Sequence, residues 1–445
     1  MPASDPLASP LRAILADAQA KNRLPSVAGA VVLDGEVLWS DAVGLADADS
    51  DESATPDHQY RIGSITKTFT AVAVMQLRDA GKLDLEDRLD AHLDVPARGD
   101  LTLRRMLSHA SGLQREIPGN VWDTLRFPKS TDELVATLGE AERVLAPGER
   151  WHYSNLAYIL LGEVVATLCG MPYEDYVETR ILQPLGLART SFSPVAPTAI
   201  AYSVEPYTDV VLREPMLVER TGGIAAAGQL WSTVGDLCRW AAFLAAPDPE
   251  VLSPESLELM TSVQSMADPY RWSLAWGVGL MLARSGDRIY CGHDGGMPGY
   301  LANVLVERES GLGGAVLVNG SDVSPAQLTL ALIDKARELH PPESKPWRPG
   351  DEPPAELATA LGRWWSEGSE FVFRWHEGRL ESRLADAAEW TPWARFERIE
   401  GDRFRTTFGR ERGELLELVR DGDGTVTRMY WATYPFTRRH EVTGA

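Results

Sequence analysis

Apolar positions Leu7, Leu11, Ile14, Leu15 and Ala18 recur at helical spacing, which predicts a helix over residues 7–22. Residues 27–33 and 37–43 are apolar enough for strands, and Asp34-Gly35 between them suits a two-residue hairpin turn. Residues 64–80 contain no Gly or Pro and are almost wholly apolar from 69 to 77. That pattern predicts a helix buried on most faces, with Ser64 at its N-terminal end and Gly81 as its stop. Further helices are predicted at 101–108, 131–139, 155–169 and 232–246, the last after Ser232-Thr233 as cap.

The next part of the chain reads differently. Strands are predicted at 288–291, 300–306 and 314–318, with a glycine-rich piece, Gly292-His293-Asp294-Gly295-Gly296-Met297-Pro298-Gly299, between the first two. A helix at 325–339 follows, and then a Pro-rich linker over 341–357. Residues 358–445 alternate apolar and polar, as in Glu370-Phe371-Val372-Phe373-Arg374-Trp375, and turn signals such as Glu377-Gly378 and Glu400-Gly401 divide them. This predicts a small antiparallel β-barrel-like unit whose Trp364, Trp365, Trp375 and Trp393 are expected in its core. The expected domains are 1–340 and 358–445.

Length agrees, since 445 residues exceed one ordinary core. A net charge of −21 repels phosphate backbones and argues against nucleic acid as a partner. No stretch of about eighteen uncharged apolar residues occurs, so no membrane span is expected. The N-terminus lacks a basic segment followed by an apolar one, which predicts no secretory signal and a cytoplasmic protein. Cys169, Cys238 and Cys291 are far apart and suggest small buried hydrophobes in a reducing compartment, with no disulfide framework or zinc site. The eight histidines show no metal-ligand spacing, no serine sits in a Gly-x-Ser-x-Gly elbow, and no cofactor is expected.

Three short motifs carry chemistry. In Ser64-Ile65-Thr66-Lys67, helical spacing brings the lysine amine towards the serine hydroxyl. A desolvated lysine can take the proton that makes serine a nucleophile, and the helix N-terminus favours developing negative charge. Alone, the motif reads equally as a capping serine and a solvated lysine. Tyr153-Ser154-Asn155 sets a phenol and an amide close together, suited to proton relay and to binding a substrate amide. Alone, it reads as a half-buried tyrosine with a capping asparagine. In Gly292-His293-Asp294-Gly295-Gly296, glycines at a strand edge admit a substrate backbone and free an N–H for an oxyanion hole.

Together, in this order, the motifs resemble the serine β-lactamase and penicillin-binding-protein superfamily, in its class C-like branch with D-aminopeptidases, D-peptidases and carboxylesterases. The flanks Tyr60-Arg61-Ile62-Gly63, Met106-Leu107-Ser108-His109-Ala110-Ser111-Gly112-Leu113, Pro147-Gly148-Glu149-Arg150-Trp151 and Ala227-Gly228-Gln229-Leu230-Trp231 carry the likeness too, over roughly residues 10–340. The resemblance implies an α+β fold, an antiparallel sheet flanked by helices with a helical subdomain, and a small C-terminal barrel. It implies Ser64 as nucleophile, Lys67 and Tyr153 sharing base and acid duties, Asn155 on the substrate amide, and Gly296 N–H as oxyanion donor. His109 would be a packing residue.

His293 stands where β-lactamases carry the lysine of a Lys-Thr-Gly triad. An unperturbed histidine is mostly neutral at pH 7 and holds a carboxylate weakly. The expectation is therefore a serine hydrolase acting on small peptides or amides, D-residues among them. A carboxylesterase, a β-lactamase or penicillin-binding enzyme, and a catalytically silent binding protein are the alternatives. The expected partners are a small-molecule or short-peptide substrate and, for assembly, further copies of the chain.

Overall fold

The computed structural model describes residues 7–215, 224–341 and 347–440. The chain divides into two compact units, Met1–Pro342 and Glu343–Ala445. Residues 342–346 of the expected linker lie outside the described residues.

The first unit is built on a nine-stranded antiparallel sheet. Its strands are β1 (Ser26–Leu33), β2 (Glu36–Asp47), β3 (Glu52–Ser53), β4 (Ser265–Met266), β5 (Leu274–Trp276), β6 (Met281–Ser285), β7 (Arg288–Met297), β8 (Tyr300–Glu307) and β9 (Leu312–Val318). Their order is β3-β2-β1-β9-β8-β7-β6-β5-β4. The β1–β2 hairpin turns on Asp34 and Gly35, both at positive φ (49° and 89°), as a primed turn demands.

Alternation along the central strands divides the core in two. Val27 and Val31 face helices α1 (Ala8–Lys21) and α5 (Pro325–Leu339) through Leu11, Leu15, Leu332 and Ile333. Gly29 lets the two helices lie close, since a Cβ there would stand 2.9 Å from Leu332 and 3.0 Å from Leu15. On the opposite face, Ala28, Ala30, Leu317 and Val304 join the cluster containing α2 (Thr66–Asp79), α3 (Asn155–Cys169) and α4 (Val234–Ala245). The α2 residues from Thr66 to Met75 are all buried, as the uninterrupted apolar run predicts. Trp240 of α4 stacks on Phe69 of α2 at 3.8 Å and donates to Thr68 Oγ1.

One strand runs further than the expected 288–291. The glycine-rich piece continues β7 to Met297, because Tyr300–Glu307 pairs with it throughout, His293 opposite Val304 and Gly296 opposite Leu301. Its glycines answer to close packing. A Cβ at Gly292 would fall 1.9 Å from the Val304 carbonyl, and one at Gly295 would fall 2.0 Å from that of Ile62.

The second unit is an eight-stranded antiparallel sheet in sequential order: β10 (Gly362–Ser366), β11 (Ser369–His376), β12 (Arg379–Leu384), β13 (Ala394–Glu400), β14 (Arg403–Phe408), β15 (Leu415–Arg420), β16 (Val426–Trp431) and β17 (Tyr434–Phe436). It curls until Trp365 and Thr437 exchange backbone hydrogen bonds of 2.9 and 3.0 Å, which brings its edges together. Trp364, Phe373, Phe396, Phe404, Met429, Trp431 and Phe436 fill its interior. Trp364 is core as expected and Trp375 packs partly against it. Trp365 and Trp393 are not core. Trp365 alternates outward, and Trp393 lies between the guanidinium groups of Arg374 and Arg383, at 3.7 and 4.6 Å.

Among the described residues, no single helix is long and apolar enough to cross a membrane.

Candidate active site

Ser64 sits in a single 3-10 turn, Gly63–Ile65, that feeds α2. Gly63 has φ +49°, and Thr66 Oγ1 donates to its carbonyl at 2.7 Å, which fixes the turn. The serine is partly exposed while Lys67, one turn on, is completely buried. Lys67 Nζ reaches Ser64 Oγ at 3.0 Å and the Ala227 carbonyl at 2.6 Å. It also lies over the rings of Tyr153 and Tyr158, at 5.1 and 5.6 Å. Burial drives its pKa well below the usual lysine value, against a smaller opposing pull from Glu116. The amine is therefore available as a proton acceptor.

Tyr153 hangs from the segment that enters α3, with its hydroxyl on the Ser64 side of the site. Burial raises the phenol's pKa, so it stays protonated through neutral pH. His109 holds this segment in place. It is buried, its Nδ1 accepts from Ser154 N–H at 3.1 Å, its carbonyl accepts from His152 N–H at 2.7 Å, and its ring packs on Tyr153 at 4.1 Å. The packing assigned to His109 from sequence is thus an anchoring of the tyrosine loop.

Ser154, not Asn155, caps α3, accepting from Ala157 N–H at 3.1 Å. Asn155 is thereby released, and its Nδ2 donates to Glu116 at 2.7 Å. Its Oδ1 is buried without a partner. Arg115 stands over the Tyr153 ring at 4.9 Å. Arg115 and Glu116 belong to none of the three motifs. The available signal was a charged pair just beyond the Leu107-Ser108-His109-Ala110-Ser111-Gly112-Leu113 stretch.

Strand β7 forms the opposite wall. Gly63 and Gly296 meet so closely that a Cβ on Gly63 would lie 2.6 Å from Gly296 N. This apposition sets the backbone of the Ser64 turn beside that of Gly296. His293 is buried, and its Nδ1 donates to the Asp294 carbonyl, which can only accept. The proton is thus fixed on Nδ1, and Nε2 is left as a buried, unpartnered lone pair. Burial pushes the imidazole pKa down to about 3, with Lys67 adding to the effect. Its ring lies 6.2 Å from that of Tyr153 and 5.5 Å from Trp276. The structure thus gathers Ser64, Lys67, Tyr153, Asn155, His293 and Gly296 from three separate parts of the chain. Among the described residues, no group of three His, Cys, Asp or Glu could hold a metal ion.

The model of the family described as Beta-lactamase matches residues 11–338. A second, described as Domain of unknown function (DUF7586), matches residues 353–438. The chain is 30% identical to Beta-lactamase-like protein 2 of Dictyostelium discoideum over 56% of its own length and 47% of that protein, and so spans about half of that relative. A D-stereospecific amidohydrolase from a Streptomyces species superposes with a TM-score of 0.62 and 28% identity, covering 73% of this chain and 97% of its own. The octameric penicillin-binding protein homologue of Pyrococcus abyssi gives 0.65 at 24% identity, over 97% of this chain and 100% of that one, a likeness of fold.

Proposed function

The chain belongs to the beta-lactamase family, and from that premise we propose a serine hydrolase that works through an acyl-enzyme on small amides and short peptides bearing a free amine. The observation that carries this reading is the 3.0 Å contact between Ser64 Oγ and a fully buried Lys67 Nζ. The neutral amine takes the Ser64 proton as Oγ attacks the substrate carbonyl. The N–H groups of Ser64 and Gly296 receive the oxyanion. Tyr153 gives its proton to the departing amine and takes the one Lys67 holds. That frees the lysine amine to act as base when water attacks the acyl-enzyme, and Ser64 Oγ is reprotonated on release of the acid.

Substrate class follows from charge. Glu116, paired with Arg115 at 3.5 Å, brings a carboxylate to Asn155, a partner for a substrate ammonium group. His293, neutral at physiological pH, supplies no cation for a substrate carboxylate. Both features favour aminoacyl amides over penicillins. The likeness to a D-stereospecific amidohydrolase supports D-residues among the substrates. A carboxylesterase is the second reading, favoured by the same neutral His293. Residues 1–340 are proposed as the hydrolase domain and 358–445 as an appended barrel. The three free cysteines suit a reducing compartment, and the cytoplasm is the proposed location.

The test is turnover of D- and L-aminoacyl p-nitroanilides, p-nitrophenyl esters and nitrocefin by wild type and Ser64→Ala. Anilide turnover lost in Ser64→Ala is expected, with nitrocefin the poorest substrate. Equal, slow turnover of every substrate by both proteins would reject the proposal, and ester-only turnover would select the carboxylesterase.

A further inference from the structure

The C-terminal barrel is a cup. At one end, the 3-10 turn Ala355–Ala360 plugs it with buried Leu357 and Ala360, and Trp364 Nε1 donates to the Ala360 carbonyl at 2.7 Å. At the other end, where the β10–β11, β12–β13, β14–β15 and β16–β17 connections lie, a cavity of about 400 Å³ opens into the interior. Its walls include Phe371, Leu384, Ala394, Trp431 and Phe436. Ser382 also lines it, is 1% exposed, and has an Oγ with no hydrogen-bond partner. A buried hydroxyl without a partner is disfavoured. The neighbouring polar groups do not relieve it. Trp431 Nε1 is already satisfied by Thr406 Oγ1 at 2.9 Å. Arg383 also lines the cavity, but its guanidinium lies over Trp393 and donates to the carbonyls of Glu389 and Thr391.

We propose that this cup binds a small neutral amphipath, with its apolar body against Phe371, Trp431 and Phe436 and one hydroxyl or carbonyl on Ser382. A cavity at a barrel mouth, with aromatic walls inside, a buried polar group and a polar rim, is a common form of small-molecule site. The head is neutral because three of the cavity's charged residues, Glu367, Arg410 and Glu411, belong to the connections at its rim, and the fourth, Arg383, already donates to the carbonyls of Glu389 and Thr391. Arg410 is 89% exposed and paired with Glu411 at 3.1 Å. An ionised head beside Ser382 would be buried without a counter-charge.

The test uses the full-length chain and the neutral fluorophore N-phenyl-1-naphthylamine, displaced by decan-1-ol or decanoate at pH 8. Saturable one-site fluorescence is expected. Decan-1-ol should displace the probe at concentrations about tenfold lower than decanoate, reflecting the burial of charge. Ser382→Ala should weaken decan-1-ol about fivefold, the worth of one neutral hydrogen bond. Ala394→Leu, which fills the cup, should lower probe affinity while ester turnover persists. The proposal is overturned by absence of saturable probe binding, by equal displacement with decanoate, or by unchanged decan-1-ol affinity in Ser382→Ala. Undiminished probe binding in folded Ala394→Leu overturns it equally.

Discussion

Glu116 accepts a hydrogen bond from Asn155 Nδ2 at 2.7 Å and leaves Asn155 Oδ1 buried without a partner. The contact orients the carboxamide with its oxygen free for a donor, which a substrate N–H can supply. It also keeps an anion beside the substrate amide. Glu116→Gln should raise KM for aminoacyl anilides about tenfold, the scale of a charged hydrogen bond. Turnover of p-nitrophenyl acetate, which has no amine, should change little. Steady-state kinetics on both substrates checks this, and equal losses on both would deny Glu116 a role in amine recognition.

Lys67→Met should abolish turnover by a factor of about 10² to 10⁴, the usual range for a general base. The same variant tests whether the amine is neutral. Burial lowers the folded-state pKa, so the unfolded chain binds a proton that the folded chain does not. Wild-type stability should therefore rise with pH relative to Lys67→Met, by at most about 1.4 kcal/mol per unit, from the folded pKa up to the normal lysine value. Urea midpoints from pH 6 to 9 read this slope; parallel curves for the two proteins would mean a charged Lys67.

The acid limb of kcat/KM should belong to Lys67. Tyr153 has its pKa raised and keeps its proton across that range. Tyr153→Phe should lose about a hundredfold in turnover, as expected for a lost proton relay, while the limb keeps its position. A limb that moves or vanishes in Tyr153→Phe would transfer the titration to the phenol.

Gly295→Ala should damage the site without touching a reacting group. Its Cβ would lie 2.0 Å from the Ile62 carbonyl, so β7 must retreat from the Ser64 turn and carry Gly296 with it. The loss of an oxyanion donor corresponds to about 10² to 10³ in kcat. Near-normal kcat in a folded Gly295→Ala protein would remove Gly296 from the oxyanion role.

His293 should make the protein acid-sensitive. With its pKa near 3 in the fold, the unfolded chain takes up a proton below about pH 6.5 that the folded chain refuses. Stability is then lost as pH falls, by at most about 1.4 kcal/mol per unit. His293→Asn should flatten this dependence between pH 4 and 6.5 in denaturant titrations; an unaltered slope would assign the loss to other groups.

Much of this was legible along the chain. Local spacing placed the first helix, the Asp34-Gly35 hairpin, α2 with Ser64 at its start, and the strand-rich C-terminal unit. It fell short at Gly292–Gly296, where the predicted strand stopped at Cys291 because glycines carry no apolar pattern. There β8 supplies a ladder along the whole piece, and the glycines are needed for close approach. It failed again at Trp365 and Trp393, because aromatic character alone does not say which face of a strand, or which side of a wall, a ring will take.

The sequence by itself determined which residue types stand at which spacing, and so the elements, the three motifs and the family they resemble. Those depend on neighbours within a few positions. Only the tertiary structure decided that Lys67 is sealed against the Ala227 carbonyl, 160 positions away, and that Glu116 meets Asn155 across 39. It alone decided that His293 is neutral with its proton on Nδ1. Desolvation and hydrogen-bond partnership belong to a residue's surroundings in space. The motif Ser64-Ile65-Thr66-Lys67 therefore names the proposed nucleophile and base, while the fold buries the amine beside the hydroxyl.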